Sequence, residues 1–364
     1  MIVGAGPGGR ERQPGTRASR SRRVPTRPPR LPRRAFAEPA ATRHTRTMST
    51  PSFRHLLLSL ALFGVSPLAA SVVHAQVRTA DPAARGIPLS AFPRLVKLSK
   101  HVYGYEEIRQ PGFTTVSLIV IGTDGVLIAD AQGSAAATQT MIDRIRTITP
   151  LPIKWYVVGS DHGDHTAGNH VLPGGLTWVV HPTSLAQLKR DSAAATAARP
   201  VVVPPAAMSG TMQTIDVGTT EVVVRFLGRA HTGGDLMVHL PREQLLFMSE
   251  AYLNRVFPAM RSAYPTEWAR TIDAALALDR VKRFIPGHGF IEKGKRSREE
   301  LVAFRDAITG VIAEATRLKT LGLTAEEAVK RANWGPVGTW FLADQQAPIA
   351  VRRVWAELDG QLRP

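Results

Sequence analysis

The sequence predicts an α/β fold in which two β-sheets pack face to face and carry helices on their outer faces. Apolar, β-branched segments occur before, between and after segments with the apolar spacing of helices. Turn signals join neighbouring strands into pairs at both ends of this region, which is typical of a layered sandwich. No internal repeat is long enough for a solenoid. In such a sandwich, loops from separate strands can meet at one edge.

Residues 1–47 differ in composition from the rest of the chain. They contain twelve arginines and two glutamates, a local net charge of +10, and are rich in proline, glycine and alanine. Because this segment has no apolar period it cannot bury a core, and we interpret it as a disordered leader. We expect translation to start at Met48, with 1–47 lying upstream of the true gene product. The alternative is a basic arm that binds RNA or DNA.

Residues 48–75 have the pattern of a Sec-type signal peptide. Arg54 and His55 form a short positive end, and Leu56–Ala70 is almost wholly apolar. Val73–Ala75 then places small residues at the two positions that a signal peptidase recognises. The apolar run is too short to span a bilayer comfortably. We therefore expect a periplasmic or secreted protein without a transmembrane helix once the signal is removed; an uncleaved anchor is the alternative.

The charge of the whole chain, +17, falls sharply when these two segments are set aside. Residues 76–364 carry 33 basic and 27 acidic side chains, a net charge of +6. This is an ordinary surface, so no nucleic-acid partner is expected for the mature protein. The chain has no cysteine, which excludes disulfides, thiolate ligands and a thiol nucleophile. Any metal must be held by histidine, carboxylate, hydroxyl or water.

The first half of the predicted domain follows a loose segment at 76–95 and contains patterns of both strands and helices. Gly122 and Gly125 mark a tight hairpin turn, and Pro150 follows the end of a helix. Thr183 is the expected cap of the next helix. The predicted elements are strands at 98–108, 114–121, 126–130, 153–160 and 177–182, and helices at 134–149 and 183–195.

The second half begins after the proline-rich connection at 201–205. The predicted elements are strands at 211–216, 220–227, 235–240, 244–249 and 283–289, and helices at 266–279 and near 297–319, 324–332 and 343–361. We place the main domain at 96–290 and a C-terminal helical extension at 291–364.

Side chains suited to metal binding occur at four strand ends. The first end is SDHGDH at 160–165, where His162, Asp164 and His165 fall within four residues. The others are His231 in AHTGGD, Glu250 in FMSE and His288 in PGHG. Imidazole nitrogen and carboxylate oxygen are ligands that zinc prefers. Loops that converge at one sheet edge would bring these groups together. The remaining candidates are interpreted as structural: His101, His170, His181 and His239.

These motifs resemble those of the metallo-β-lactamase superfamily over about Val96 to Gly289. The family signature H-x-H-x-D-H is matched by SDHGDH except for Ser160 at its first position. AHTGGD at 230–235 and PGHG at 286–289 match the later histidine motifs. FMSE at 247–250 departs from the usual F-x-G-D. The hairpin GTDGVLIADAQGS, which contains Asp130, resembles the family's second and third strands.

The resemblance implies a four-layer αβ/βα sandwich with the active site at one edge. It assigns one metal position to Ser160, His162 and His231, and the other to Asp164, His165 and His288, with Glu250 between them. A neutral serine hydroxyl is a poor zinc ligand beside imidazole. We therefore expect one tightly held Zn²⁺ at the second position. A weaker second zinc, or another divalent metal, is left open.

The function predicted from these residues is metal-assisted hydrolysis of an ester, lactone, β-lactam or related bond in a small molecule. A bound cation lowers the pKa of its water toward about 7. His162, His231 or Asp164 is expected to position or deprotonate that water. Asp130, Thr232 and Asp235 are candidates to orient the ligands.

Three alternatives remain at this level. Covalent catalysis by Ser160 is disfavoured because the strained G-x-S-x-G elbow is missing. An iron-dependent oxygenase of the same superfamily would use the metal position that Ser160 weakens. A non-catalytic periplasmic protein that binds a ligand without hydrolysis is a different class of function on the same fold.

Overall fold

The computed structural model describes residues 77–109 and 111–362. The predictions for the leader at 1–47 and for the signal peptide at 48–75 lie outside these residues. Across the part of the chain that is described, no helix has the length and apolarity needed to cross a membrane.

The first sheet has six strands among the described residues, and their order in the sheet follows the chain. The strands are β1 (Arg94–Lys97), β2 (Val102–Arg109), β3 (Phe113–Ile121), β4 (Val126–Ala129), β5 (Ile153–Val157) and β6 (Thr177–Val179). β1 to β4 pair antiparallel, whereas β4, β5 and β6 pair parallel. The carboxyl ends of β4 and β5 therefore lie side by side.

The second sheet has five strands in the described region, in the order β11-β10-β9-β8-β7. The strands are β7 (Met212–Asp216), β8 (Glu221–Arg225), β9 (Met237–Leu240), β10 (Leu245–Phe247) and β11 (Arg283–Ile285). β10 and β11 pair parallel, and the other pairs are antiparallel. The carboxyl ends of β10 and β11 thus also share one edge.

Seven α-helices connect and cover the sheets within the described residues. The helices are α1 (Ala135–Arg146), α2 (Gly163–Thr166), α3 (Pro182–Ala193), α4 (Pro265–Leu276), α5 (Lys295–Thr320), α6 (Ala325–Arg331) and α7 (Ala343–Leu358). Short 3₁₀ turns occupy Leu89–Ala91, Asn169–Val171, Ser249–Ala251 and Gly335–Thr339.

The buried apolar residues form layers because alternate side chains of a strand point to opposite faces. Leu118 and Val120 of β3 pack with Val224 and Val238 between the two sheets, whereas Ile119 faces the helices outside the first sheet. The outer face of the second sheet packs against α4, α5 and α7 in one cluster. This four-layer αβ/βα arrangement confirms the predicted fold class, including helices in the C-terminal extension.

Two local predictions were wrong. The strand expected from Leu98 begins at Val102, because the Leu98 and Ser99 N–H groups both donate to the Val102 carbonyl and close a turn. The segment before it also contains β1, whose partly buried residues carry little strand signal. Thr183 is not the cap of α3. The helix starts at Pro182, so His181 takes the cap position and its Nδ1 accepts from the Thr183 N–H at 3.2 Å.

Candidate metal centre

The histidine-rich loop leaves β5 where three chain segments approach closely. A Cβ on Gly159 would lie 2.7 Å from the Cβ of Ser249 and 2.9 Å from Asp130 Oδ1, so only glycine fits there. Asp130, which adopts a positive φ of 62°, accepts from the Gly159 N–H at 2.7 Å. Its second oxygen accepts from the Ser249 hydroxyl and lies 3.0 Å from His165 Nδ1. Asp130 thus ties together the ends of β4, β5 and β10.

The loop after β11 fixes His288 at the same edge. The ring Nδ1 of His288 lies 2.8 Å from the Thr114 carbonyl, which holds the proton on Nδ1 and turns Nε2 toward the site. The Phe113 ring packs against this imidazole at a centroid distance of 5.0 Å.

One group of candidate ligands contains Asp164, His165, Glu250 and His288, with ligand atoms within 4.8 Å of one another. His288 Nε2 lies 3.0 Å from Asp164 Oδ2, 3.2 Å from Glu250 Oε1 and 3.2 Å from His165 Nε2. His165 is fully buried, and His288 is nearly so.

The second group contains His162, His231 and Glu250. His162 Nδ1 lies 3.0 Å from Glu250 Oε2 and 3.1 Å from His231 Nε2. His231 Nε2 lies 3.2 Å from Glu250 Oε1. Glu250 therefore belongs to both groups, and the structure places it between them.

Ser160 is fully buried and contacts the site through Glu250. Its hydroxyl donates to Glu250 Oε2 at 2.5 Å. Ser160 thus lies beside the second group, next to His162, but its hydroxyl is engaged with the Glu250 carboxylate. Asp161, the next residue, belongs to neither group.

The histidines of the site stabilise the charged form of its carboxylates. Burial disfavours the charged form of Glu250, but His231, His162 and His165 outweigh burial and hold its pKa well below the usual range. Burial and Glu250 would raise the pKa of Asp164, yet His288 and His165 lower it.

Two of the histidines beside these carboxylates, His162 and His165, have raised pKa values. Burial lowers the pKa of His162, but Glu250 outweighs it and the pKa rises to about 9. His165 behaves likewise, with Asp130 as the main opposing charge and a pKa of about 9.

The donor chemistry of both groups fits a divalent cation. The His165–His288 and His162–His231 nitrogen pairs face each other at 3.2 and 3.1 Å. When both rings of a pair are neutral, as metal binding requires, each can turn an unprotonated nitrogen toward the carboxylate oxygens. Imidazole and carboxylate together suit a cation of intermediate softness such as zinc.

Asp235 and Thr232 lie behind His231 and shape its loop. Asp235 Oδ2 accepts from the Thr232 N–H at 2.6 Å. Burial raises the pKa of Asp235 to about 7, although the Thr232 N–H opposes that shift. These residues contact the backbone beside His231, and among the described residues neither makes a hydrogen bond to its ring.

The histidines interpreted as structural lie outside both groups. His170 Nδ1 lies 3.0 Å from the Ala167 carbonyl, and His239 Nδ1 lies 3.3 Å from Arg225 Nε. His181 caps α3 and stacks on Phe226. That the residues of the two groups bind a metal stays a prediction.

Sequence reasoning missed the residues that surround the two groups. Arg109 at the end of β2 donates to Asp164 Oδ2 at 2.8 Å. The start of α7 also lines the cavity above the groups, through residues such as Leu342 and Gln346. The only sequence signal for these residues was that Arg109 stands at the end of a predicted strand. Nothing local in the sequence of α7 indicates that it reaches this edge.

Comparison with known proteins rests on structure, since no family model matches the sequence. The stereoselective inverting sec-alkylsulfatase Pisa1 from Pseudomonas sp. is similar, with a TM-score of 0.56, 18% identity and coverage of 72% of this chain. This chain spans only half of that enzyme's length.

Metallo-β-lactamases are similar over a smaller part of this chain. The enzyme from Pontibacter korlensis gives a TM-score of 0.51 at 19% identity, covering 58% of this chain and 98% of the enzyme. The DIM-1 metallo-β-lactamase gives 0.50 at 20% identity, with 58% and 96% covered. Together with the sheet order and the four layers, these similarities show that the chain has the metallo-β-lactamase fold.

Proposed function

We propose that this protein is a metal-dependent hydrolase whose essential cation is held by Asp164, His165 and His288. The observation that carries the proposal is the position of Glu250. Its two oxygens face different histidine sets, Oε1 toward His231 and His288 and Oε2 toward His162. A buried carboxylate among four imidazoles is typical of a metal centre and costly without a cation or protons to balance it.

One cation is expected to bind much more tightly than a second. The group with Asp164 offers two imidazoles and a carboxylate of its own, besides Glu250. The group with His162 and His231 offers two imidazoles, while Ser160 contributes a hydroxyl that already donates to Glu250. Zinc sites in enzymes use three protein ligands and an open position, which only the first group supplies without Glu250.

When bound, a divalent cation supplies Lewis acidity, which polarises the bond to be cleaved and lowers the pKa of water toward neutrality. The chain's own residues supply positioning and proton transfer. Arg109 holds Asp164 in place through its 2.8 Å contact. Burial lowers the pKa of His231 despite the nearby Glu250, so its imidazole is neutral at pH 7 and can accept a proton.

The substrate is proposed to be a small molecule with an ester, lactone, β-lactam or related bond. Similar structures include a sec-alkylsulfatase and β-lactamases, which cleave different bonds on one fold. We propose export to the periplasm or the outside of the cell, on the basis of the signal pattern at 48–75. The small net charge after that segment supports a substrate other than nucleic acid.

Replacement of a ligand tests this function most simply. Asp164→Ala and His288→Ala are expected to lower bound metal well below the wild-type content and to reduce hydrolysis of an ester, lactone and β-lactam panel at least a hundredfold, about 2.7 kcal/mol. Metal content is measured by mass spectrometry of the purified protein. His170→Ala, on the surface outside both groups, serves as the control with full metal and activity. Wild-type hydrolysis rates in metal-free Asp164→Ala protein would overturn the proposal.

A further inference from the structure

The cavity above the candidate metal centre has walls from two separate parts of the chain. Its volume is about 260 Å³, and its floor includes His162, Asp164 and Glu250. One wall is apolar and comes from the start of α7, through Leu342 and Ile349. The lining also includes two arginines, Arg109 and Arg261.

The apolar wall is held firmly against the site. Phe341 pairs with the loop after β10, donating to the Arg255 carbonyl at 3.1 Å and accepting from the Phe257 N–H at 2.9 Å. Its ring packs on Phe113 at 5.4 Å, and Phe113 contacts His288. Leu342 follows with a φ of 64°, a left-handed conformation that a leucine adopts only when its surroundings require it.

The two arginines of the cavity differ in their pairing. Arg109 is ion-paired with Asp164. Arg261, exposed at the rim, makes no hydrogen bond or ion pair with any residue of 77–109 or 111–362. It also lines the neighbouring polar groove beside His162, so it lies at the boundary of both spaces. A guanidinium without an acidic partner at a cavity mouth is suited to bind an oxyanion in a bidentate manner.

We infer that the substrate of this site carries an anionic oxygen group that pairs with Arg261, beside a short apolar portion that lies against Leu342 and Ile349. The identity of the cleaved bond rests on the proposed hydrolase function, whereas binding of the anionic group by Arg261 does not. Arg109 does not compete for the anion, because Asp164 already neutralises it. The small cavity favours a compact substrate over a polymer.

The test uses two pairs of probes that differ only in a terminal carboxylate. Mono-p-nitrophenyl succinate and p-nitrophenyl butyrate report turnover, and succinanilic acid and butyranilide report binding without turnover. Wild-type protein loaded with zinc is expected to prefer the carboxylate member about tenfold, a modest value because Arg261 is exposed to solvent. Arg261→Gln is expected to remove that preference in both assays, and Arg261→Lys to restore part of it. Arg331→Gln, an exposed arginine on α6, is the matched control.

The outcomes separate this inference from the proposed function. Selective anilide binding that depends on Arg261, without hydrolysis of either ester or of any lactone or β-lactam in the panel above, supports the anion site and contradicts the hydrolase. Equal binding of the two anilides, a preference that survives in Arg261→Gln, or no binding of either anilide would overturn the anion site. Hydrolysis of both esters at equal rates, unchanged by Arg261→Gln, would leave the hydrolase standing and refute the inference about its substrate.

Discussion

Glu250 is one methylene longer than an aspartate, and this length decides what the carboxylate can reach. Its Oε1 lies 3.2 Å from both His231 and His288, and its Oε2 lies 3.0 Å from His162. The hydroxyl of Ser160, at 2.5 Å, holds the second oxygen in this orientation. Ser160 and Glu250 therefore act together. Ser160 supplies no imidazole nitrogen, and the longer side chain of Glu250 occupies the space beside it.

The raised pKa values of His162 and His165, both about 9, predict how the metal-free protein responds to pH. Their unfolded values are near 6.5, so the folded state binds protons more tightly and gains stability below about pH 6.5. That stability is lost as pH rises toward 9. Melting temperature after chelator treatment should therefore fall between pH 6.5 and 9.

Zinc-loaded protein provides the control for this measurement. Because metal binding requires neutral imidazole, His165 has no such proton to lose in the loaded protein, and the fall in its melting temperature over the same range should be smaller. A metal-free melting temperature that rises with pH would contradict the assigned charges of the histidine cluster.

At the scale of elements, the alternation of apolar residues was sufficient to predict most strands. The hairpin of β3 and β4 and the helices α1 and α4 were predicted closely, because each has a strong local pattern or a glycine or proline boundary. β1 was missed because its residues are only partly buried and alternate weakly. A local sequence pattern therefore predicts an element only when burial of one face requires apolar residues at a regular spacing.

The grouping of site residues was predictable for a different reason. Loops from separate strands can meet at one edge of a sandwich, so the ends of the strands predicted at 153–160, 220–227, 244–249 and 283–289 were expected to converge. The Ser160–Glu250 contact and the ion pair of Arg109 with Asp164 were not predictable. They join residues 90 and 55 positions apart, and they depend on side-chain directions that only the packed structure determines.

At the scale of the whole molecule, the C-terminal helices belong to the same core as the second sheet. Leu301 and Phe304 of α5 and Val354 of α7 pack in one cluster with Trp268 and Phe284. This packing brings the start of α7 to the cavity that the two groups of candidate ligands line. An extension that follows the main domain in sequence therefore contributes a wall of the cavity.

The mature protein is predicted to begin at Gln76. Mass spectrometry of protein from the native host should detect no peptide from 1–47 and should identify an N-terminus after Ala75, because the small residues at Val73 and Ala75 suit a signal peptidase. Peptides that contain Arg30, recovered from the native host, would instead support the basic-arm interpretation.

The number of metals per chain tests the central claim, that Ser160 and Glu250 leave one tight position. Calorimetric zinc titration of the wild type should give one tight site, with a second at least about a hundredfold weaker. Ser160→His with Glu250→Asp should give two tight sites, because the shorter carboxylate vacates the space that the new imidazole needs. Ser160→Ala, which adds no ligand, should not gain a site. Two equally tight zinc ions in the wild type, or no tight zinc at all, would contradict the account.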